Sequence, residues 1–382
     1  MTRVMISCGE PSGDLYAGAL ARELRSLAPD VELTGFGGDR LREAGATLVG
    51  DFGGLSVTGL TEALRVVPRA WRMYRKLVDA AEAQRPDVFV AVDFPDFNFV
   101  LARAMRRRGV PVIYYISPQL WAWRPGRMNT MRRIASRVLV IFPFEAPFYE
   151  RANVPVTFVG HPLIELARTT DRDGFLRAHG LDPARPVVAL LPGSRRNEVR
   201  AILPTLVAAA GRIGERVPGA QFLIPRAPHL SDDVFAPLDG WPASASRAVI
   251  LEQATDDVLA SADVAIVASG TATVQAALHA CPMVVVYRVA PLTYRMGKPF
   301  VHVETYAMVN LVAGRRIVPE LIQDAFTPES AADAALRVLL DPAHAAAVRR
   351  DLLDVRRRLG EPGASRRAAE AVLAAARRDQ PA

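Results

Sequence analysis

Short, unbroken apolar runs recur along the chain, each ending at a small or polar residue. After each run, apolar residues fall every third or fourth position. Runs of the first kind read as strands buried on both faces, and the stretches between them as helices crossing over between parallel strands. In the first half the runs are 3–7, 31–35, 87–93, 111–116 and 138–142. The polar turn Gly9-Glu10-Pro11-Ser12-Gly13-Asp14 leads into a helix through residue 27, and Gly35-Phe36-Gly37-Gly38 into another. From 162 to 186 the chain turns polar and helical, with Thr170-Asp171-Arg172-Asp173 expected as a linker. The alternation resumes at 187–191, 221–224, 249–251, 264–268 and 283–287, and from 328 the chain is helical and rich in alanine and arginine. The pattern predicts an α/β protein of two facing Rossmann-like domains, 1–165 and 166–345. A C-terminal helical segment, 346–382, is expected to pack back on the first domain or on a partner subunit. Ligands of such sheets sit at the carboxyl ends of the strands, so a cleft between the domains is the expected place for chemistry.

Length and composition agree with this picture. The 382 residues are too many for one ordinary core, and 50% hydrophobic with 23% charged is an ordinary folded composition. The net charge of +7 loses force once the basic residues are separated: only Lys76 and Lys298 are lysines, and the arginines are scattered. A nucleic-acid role would want a basic stripe with stacking aromatics, so nucleic acid is not an expected partner; anionic small molecules and an anionic membrane surface remain. Cys8 and Cys281 are isolated thiols and suit a reduced, cytoplasmic protein. No HExxH or Cys/His cluster is present, so neither a metal nor a cofactor is expected. No signal peptide is read at the start. The uncharged stretch 264–287 is long enough to span a bilayer, but its glycine, proline and polar residues favour strand–turn–helix–strand.

Two segments carry the clearest chemical signal. In each, a strand runs into a small-residue turn and a helix: Leu191-Pro192-Gly193-Ser194-Arg195, and Ala268-Ser269-Gly270-Thr271-Ala272. Glycine lets a ligand approach the backbone, and the first helical turn offers unpaired N–H groups and a positive dipole end. Two such turns on one parallel sheet make a phosphate site, and Arg195 adds a charge. Neither fits the P-loop or the dinucleotide fingerprint, so a nucleotide-diphosphate site of another kind is expected. Tyr287-Arg288, at the end of a later strand, either touches the nucleotide or is plain structure.

In the first half, Asp93 and Asp96 sit where a buried strand leaves the sheet, in Val92-Asp93-Phe94-Pro95-Asp96-Phe97-Asn98. Both either cap the next helix or supply a general base. Ser117-Pro118-Gln119-Leu120-Trp121-Ala122-Trp123-Arg124 offers two tryptophans and an arginine, as core packing or as a wall for a sugar or lipid. Over 60–78, Leu60, Leu64, Val67, Trp71, Tyr74 and Val78 form an apolar stripe, with Arg65, Arg69, Arg72 and Lys76 offset by one residue. The stripe is either an ordinary core-facing helix or an interfacial one whose cations meet anionic headgroups. Pro68 predicts a break there or a helix start. His161, in Val159-Gly160-His161-Pro162, is expected in a hinge or packing role.

The ordered set Gly9-Glu10-Pro11-Ser12-Gly13-Asp14, Pro95-Asp96-Phe97-Asn98, the Ser117–Arg124 octapeptide, the two phosphate-type turns and Asn310-Leu311-Val312-Ala313-Gly314-Arg315 resembles the lipid-A-disaccharide synthases. The resemblance runs from about Met5 to at least Arg315. It implies the GT-B fold and transfer of 2,3-diacylglucosamine from its UDP carrier to 2,3-diacylglucosamine 1-phosphate (lipid X). The product is a β-1,6-linked disaccharide, formed with inversion and without a metal. By the resemblance Asp96 is the catalytic aspartate. Gly193, Ser194, Arg195, Gly270, Thr271, Ala272, Gln275, Tyr287, Asn310 and Leu311 belong to the donor site. Glu10, Ser12, Gly13, Asn98, Trp121, Trp123 and Arg124 belong to the acceptor side. Substrates of this kind are collected from a membrane, so Leu64, Arg65, Val67, Arg69 and Trp71 become the expected contact with the inner membrane's cytoplasmic face, and the C-terminal helices a candidate homodimer contact. One departure stands out: the family carries glutamate one helical turn beyond the second phosphate turn, where it accepts from ribose hydroxyls, and here the residue is Gln275. A carboxylate accepts more strongly than an amide, so Gln275→Glu is expected to tighten UDP. The competing readings are a UDP-sugar 2-epimerase of the same fold and a non-catalytic nucleotide-sugar- or glycolipid-binding relative.

Overall fold

A computed structural model of the chain describes residues 1–52, 60–122, 125–167, 170–289 and 305–378. The chain forms two compact units, Met1–Glu165 with Leu359–Ala382, and Leu166–Arg358.

The first unit is built on seven parallel strands, β1 (Arg3–Cys8), β2 (Glu32–Gly37), β3 (Thr47–Asp51), β4 (Val88–Val92), β5 (Val112–Tyr115), β6 (Arg137–Val140) and β7 (Val156–Phe158). Their order is β3-β2-β1-β4-β5-β6-β7. Every residue of β4 and β5 is buried, which is why these segments read as uninterrupted apolar runs. Met5, Phe89, Leu101, Met105, Tyr114, Val138 and Tyr149 form the centre of the core between sheet and helices. Burying each such side chain contributes about 1.5–3 kcal/mol. The second unit repeats the plan with β8 (Val187–Leu191), β9 (Gln221–Arg226), β10 (Ala248–Glu252), β11 (Val264–Ala268), β12 (Met283–Tyr287) and β13 (Glu320–Ile322), all parallel, in the order β10-β9-β8-β11-β12-β13. Its core is packed by Val188, Leu190, Ile202, Leu206, Phe222, Ile266 and Phe326.

Three expectations need correction. Pro68 neither breaks nor starts a helix: one helix runs Leu60–Gln84 with Pro68 inside it. The missing proline N–H costs one hydrogen bond, and the packed C-terminal half carries the helix across that gap. Residues 170–173 are not a free linker. Thr170 donates to Asp257 at 2.6 Å, and Arg172 opens the helix Arg172–Ala178 while bonding the Ser261 and Pro183 carbonyls. The tail does pack back on the first unit, but it begins at Leu359 and not at 346. Pro328–Leu340 and Pro342–Arg358 belong to the second unit, whereas Ala364–Arg378 lies in the first against the helix Pro11–Leu27. Glu165 caps that last helix, accepting from the Gly363 N–H at 2.7 Å and the Ser365 N–H at 3.1 Å. Arg367 ties it to the Val159 carbonyl at 2.9 Å.

Candidate functional site

In each sheet the strand order reverses at one point, between β1 and β4 in the first unit and between β8 and β11 in the second. Loops leaving such neighbours diverge to opposite faces and open a crevice beyond the strand ends. Four of the segments singled out from the sequence leave these four strands.

Beyond β1, Glu10 precedes the helix Pro11–Leu27, with Ser12 half-buried in its first turn. Gly13 sits tightly on the sheet, where an added Cβ would meet the Cys8 Cβ at 3.4 Å. Asp14 is buried and accepts from the N–H groups of Gly38, Arg40 and Leu41 at 2.8–3.2 Å, fixing the next loop. Gly9 lies flat against the Phe94 ring, which a Cβ on residue 9 would penetrate at 2.1 Å. That close approach brings the β1 loop and the β4 loop together.

The β4 loop is strained. Asp93 and Phe94 both adopt left-handed backbone, φ +46° and +49°, which non-glycine residues hold only when their surroundings impose it. The imposing group is Asn98. Its amide nitrogen donates to the carbonyls of Asp93 (2.8 Å), Ser7 (3.2 Å) and Val92 (3.3 Å), and its oxygen accepts from the Ser7 hydroxyl at 2.7 Å. The Tyr114 phenol donates to the Asp93 carbonyl at 3.0 Å. Asn98 is thus wholly buried and engaged, a brace rather than a group open to a ligand. Asp96 stands one turn away, in the first turn of the helix Pro95–Arg107, with its side chain 72% exposed. Arg127 Nη2 donates to Asp96 Oδ1 at 2.6 Å, and its guanidinium lies over the Phe99 ring. Beyond β5, the Trp121 indole donates to Glu145, while Trp123 and Arg124 lie outside the described residues. His161 is buried against Phe142 and Tyr16, its Nδ1 accepting from the Leu163 N–H at 3.2 Å. Burial pushes this imidazole down to about 3, consistent with packing.

In the second unit Gly193 ends the β8 turn at φ +112°, where an added Cβ would also run into Glu198 Oε2 at 2.7 Å. Ser194 is exposed, and its carbonyl meets His229 Nε2 at 2.9 Å. Arg195 precedes the helix Arg196–Arg216, and Glu198 embraces it, taking the guanidinium at 3.2 Å and the backbone N–H at 3.3 Å. Tyr287, at the end of β12, is close enough to feel both charges. Its phenol is pushed up by burial and further by Glu198, with Arg195 acting against them. Arg288 is structural, stacked on Phe326 and bonded to the Phe326 carbonyl and the Thr205 hydroxyl.

Gly270, at φ +153°, precedes the helix Thr271–Leu278, and an added Cβ there would meet nothing, so the backbone angle is what requires glycine. Thr271 is exposed and Ala272 half-buried beside it. Gln275 is not solitary: its amide nitrogen donates to Asp256 Oδ1 at 3.3 Å, and His279 Nε2 reaches the same oxygen at 3.0 Å. Asn310 is 1% exposed. Its oxygen accepts from the N–H groups of Ile317 and Val318, and its nitrogen donates to the Val318 carbonyl and to Glu320 at 2.7 Å. Glu320 in turn accepts from the Tyr306 and Ala307 N–H groups ahead of the helix Met308–Ala313, which carries half-buried Leu311. Asn310 therefore builds a loop rather than presenting its amide.

The apolar stripe on the helix Leu60–Gln84 divides. Tyr74 and Val78 pack on the core beside buried Leu77, whereas Val67 and Trp71 are 57% and 56% exposed. Arg69 is half-exposed and faces Asp51 at 3.9 Å, and the side chains of Leu64 and Arg65 lie outside the described residues. No helix among the described residues is long and apolar enough to cross a membrane. Sequence reasoning missed Asp14, Glu145 and Asp256. Only Asp14 had a signal, a carboxylate inside a polar turn ahead of a helix.

Solved structures share this architecture at low identity. A UDP-GlcNAc 2-epimerase from Neisseria meningitidis, bound to UDP-GlcNAc, superposes with a TM-score of 0.70 at 13% identity, covering 98% of this chain and 100% of the epimerase. The calicheamicin glycosyltransferase superposes at 0.62 with 19% identity over the whole of both chains. These likenesses show the fold, GT-B. Sequence kinship is closer: the lipid-A-disaccharide synthase of Geobacter sulfurreducens is 45% identical over 372 residues, 97% of this chain and 96% of its own. The model of the lipid-A-disaccharide synthetase family matches residues 4–375, and the chain belongs to that family.

Proposed function

We propose that the protein is an inverting glycosyltransferase that moves 2,3-diacylglucosamine from UDP to 2,3-diacylglucosamine 1-phosphate, forming the lipid A disaccharide. Kinship at 45% identity along nearly the entire chain carries the reading. In this reading Asp96, exposed at the helix start beyond β4, takes the proton from the acceptor hydroxyl as it attacks. Gly9-Glu10 and the Asn98-braced turn set its position. As the anomeric bond breaks, charge gathers on the UDP phosphates. The N–H groups at Gly193–Arg195 and Gly270–Ala272, with the Arg195 guanidinium, stabilise it. Gln275 meets the ribose, and Asn310 shapes the neighbouring loop. Val67, Trp71 and Arg69, exposed on one helix, rest the protein on the anionic membrane face that holds both acylated substrates.

Purified protein given UDP-2,3-diacylglucosamine and the 1-phosphate acceptor should yield the disaccharide 1-phosphate and UDP, seen by mass spectrometry. Free sugar or a C2 epimer in its place would overturn the reading.

A further inference from the structure

Glu145 opens the helix Glu145–Arg151 and is 2% exposed. Its Oε1 accepts from the Ser117 hydroxyl at 3.0 Å and the Trp121 indole N–H at 3.4 Å, and its Oε2 accepts from the Phe142 N–H at 3.2 Å. All three of these donors are neutral. Two of the three donors come from the segment after β5, which leaves the strand through left-handed Ile116, φ +59°. The third comes from the segment after β6, the next strand in the sheet. One buried carboxylate thus ties together two loops at neighbouring strand ends. Above it, aromatic rings run from half-exposed Trp121, edge-on to Phe144 at 5.0 Å, through Phe142 to His161.

We infer that Glu145 is a positioning residue whose ionised carboxylate holds the 117–121 segment, and Trp121 with it, in one geometry, and whose protonation loosens that hold. The ionised form only accepts, which matches three converging donors. The protonated form has an O–H that needs an acceptor of its own, and its other bonds fall to neutral strength, roughly half. Burial drives the carboxyl up to about 7 against the pull of the Phe142, Ser117 and Trp121 bonds, so the change falls near neutral pH. The titratable neighbours stay silent there: burial pushes the Tyr149 phenol, on the same helix, far up, and His161, beyond Phe142, down to about 3.

The indole supplies its own reporter. Tryptophan emission of the whole protein, followed from pH 5.5 to 8.5, should show a transition centred near pH 7 that vanishes in Glu145→Gln and in Trp121→Phe. A transition that survives Glu145→Gln, or none in the parent protein, overturns the inference. Should Glu145→Gln fail to fold, Ser117→Ala tests the same point. Losing a donor to the charged form should move the midpoint up by about one pH unit, and an unmoved midpoint is a refutation. A link to catalysis rests on the proposed acceptor site: acceptor KM should rise below pH 7 while kcat changes less. A flat KM beside an intact emission transition would remove Trp121 from the acceptor site and leave the positioning role standing.

Discussion

Replacing Gln275 by glutamate sets two effects against each other, and the structure decides between them. A charged acceptor gains over an amide, about 1.5–3 kcal/mol against about 0.5–1.5 for a hydrogen bond. Taken alone this tightens UDP roughly tenfold. The Gln275 amide, however, donates to Asp256 at 3.3 Å, and His279 shares that oxygen. Glutamate removes the donor and sets two carboxylates face to face. Unit charges about 4 Å apart repel by about 4 kcal/mol at an effective dielectric near 20 and about 1 kcal/mol in water. Asp256 is 22% exposed and Gln275 half-buried, so both acids can turn outward, and the cost settles at about 1–2 kcal/mol. Turning outward also takes the new carboxylate away from the position the amide holds. We therefore predict that Gln275→Glu weakens UDP binding by up to about tenfold, or about 1.4 kcal/mol. Calorimetric titration of the parent, Gln275→Glu, Asp256→Asn and the double variant forms a double-mutant cycle. The double variant should recover the loss, with a coupling of about 1 kcal/mol or more. Tighter UDP binding in Gln275→Glu with Asp256 intact, or a coupling near zero, would refute the argument.

Asp96→Asn should lower kcat by about 10²–10⁴ with UDP affinity unchanged in calorimetry; near-normal turnover would move the base elsewhere, Glu10 first. Asn98→Leu removes the brace from the left-handed turn and should cost about 2–4 kcal/mol in urea melts, together with kcat; a variant of normal stability would show that the turn holds itself. Val67→Ser with Trp71→Ser should cut sedimentation with anionic liposomes several-fold while leaving melting unchanged, since both side chains are exposed; unaltered sedimentation would remove this helix from the membrane contact. His161 holds its proton far less readily folded, near 3, than unfolded, near 6.5. The unfolded chain therefore binds more protons between these values, and stability falls as pH drops through that window, by up to about 1.4 kcal/mol per unit. His161→Phe should flatten that slope in urea melts, and an equal slope in both proteins would mean that the imidazole titrates freely.

The central strands were legible because both their faces are buried, so β4, β8 and β11 stand out as pure apolar runs. Three of the four edge strands, β3, β7 and β13, escaped, while the fourth, β10, was legible from the apolar run Val249-Ile250-Leu251 although it is no better buried. The three that escaped have no uninterrupted apolar run of three residues, Thr47-Leu48-Val49-Gly50-Asp51, Val156-Thr157-Phe158 and Glu320-Leu321-Ile322, so their composition does not separate them from loop. Turns were legible where the backbone angle itself calls for glycine, as at Gly193 and Gly270. Side-chain pairings were not legible where the partner is distant in sequence. Gln275 meets Asp256 nineteen residues away, and Glu145 meets Ser117 across 28, so neither pairing leaves a local pattern. Asn98 and Asn310 were singled out through the family resemblance, as groups facing a ligand, and in the structure both amides serve the backbone.

The capping of the last helix by Glu165 bears on the order in which the protein is made. The second unit is continuous in sequence and can close as soon as it clears the ribosome. The first unit cannot. Its opening 165 residues emerge early, yet the helix that packs against the Pro11–Leu27 helix is translated only after the whole second unit. Between the two lie roughly 190 residues, a wait of about 10–40 s at bacterial elongation rates. Throughout that interval the Pro11–Leu27 helix and the Glu165 carboxylate are without their partners, so of the two units the one begun earlier is finished later.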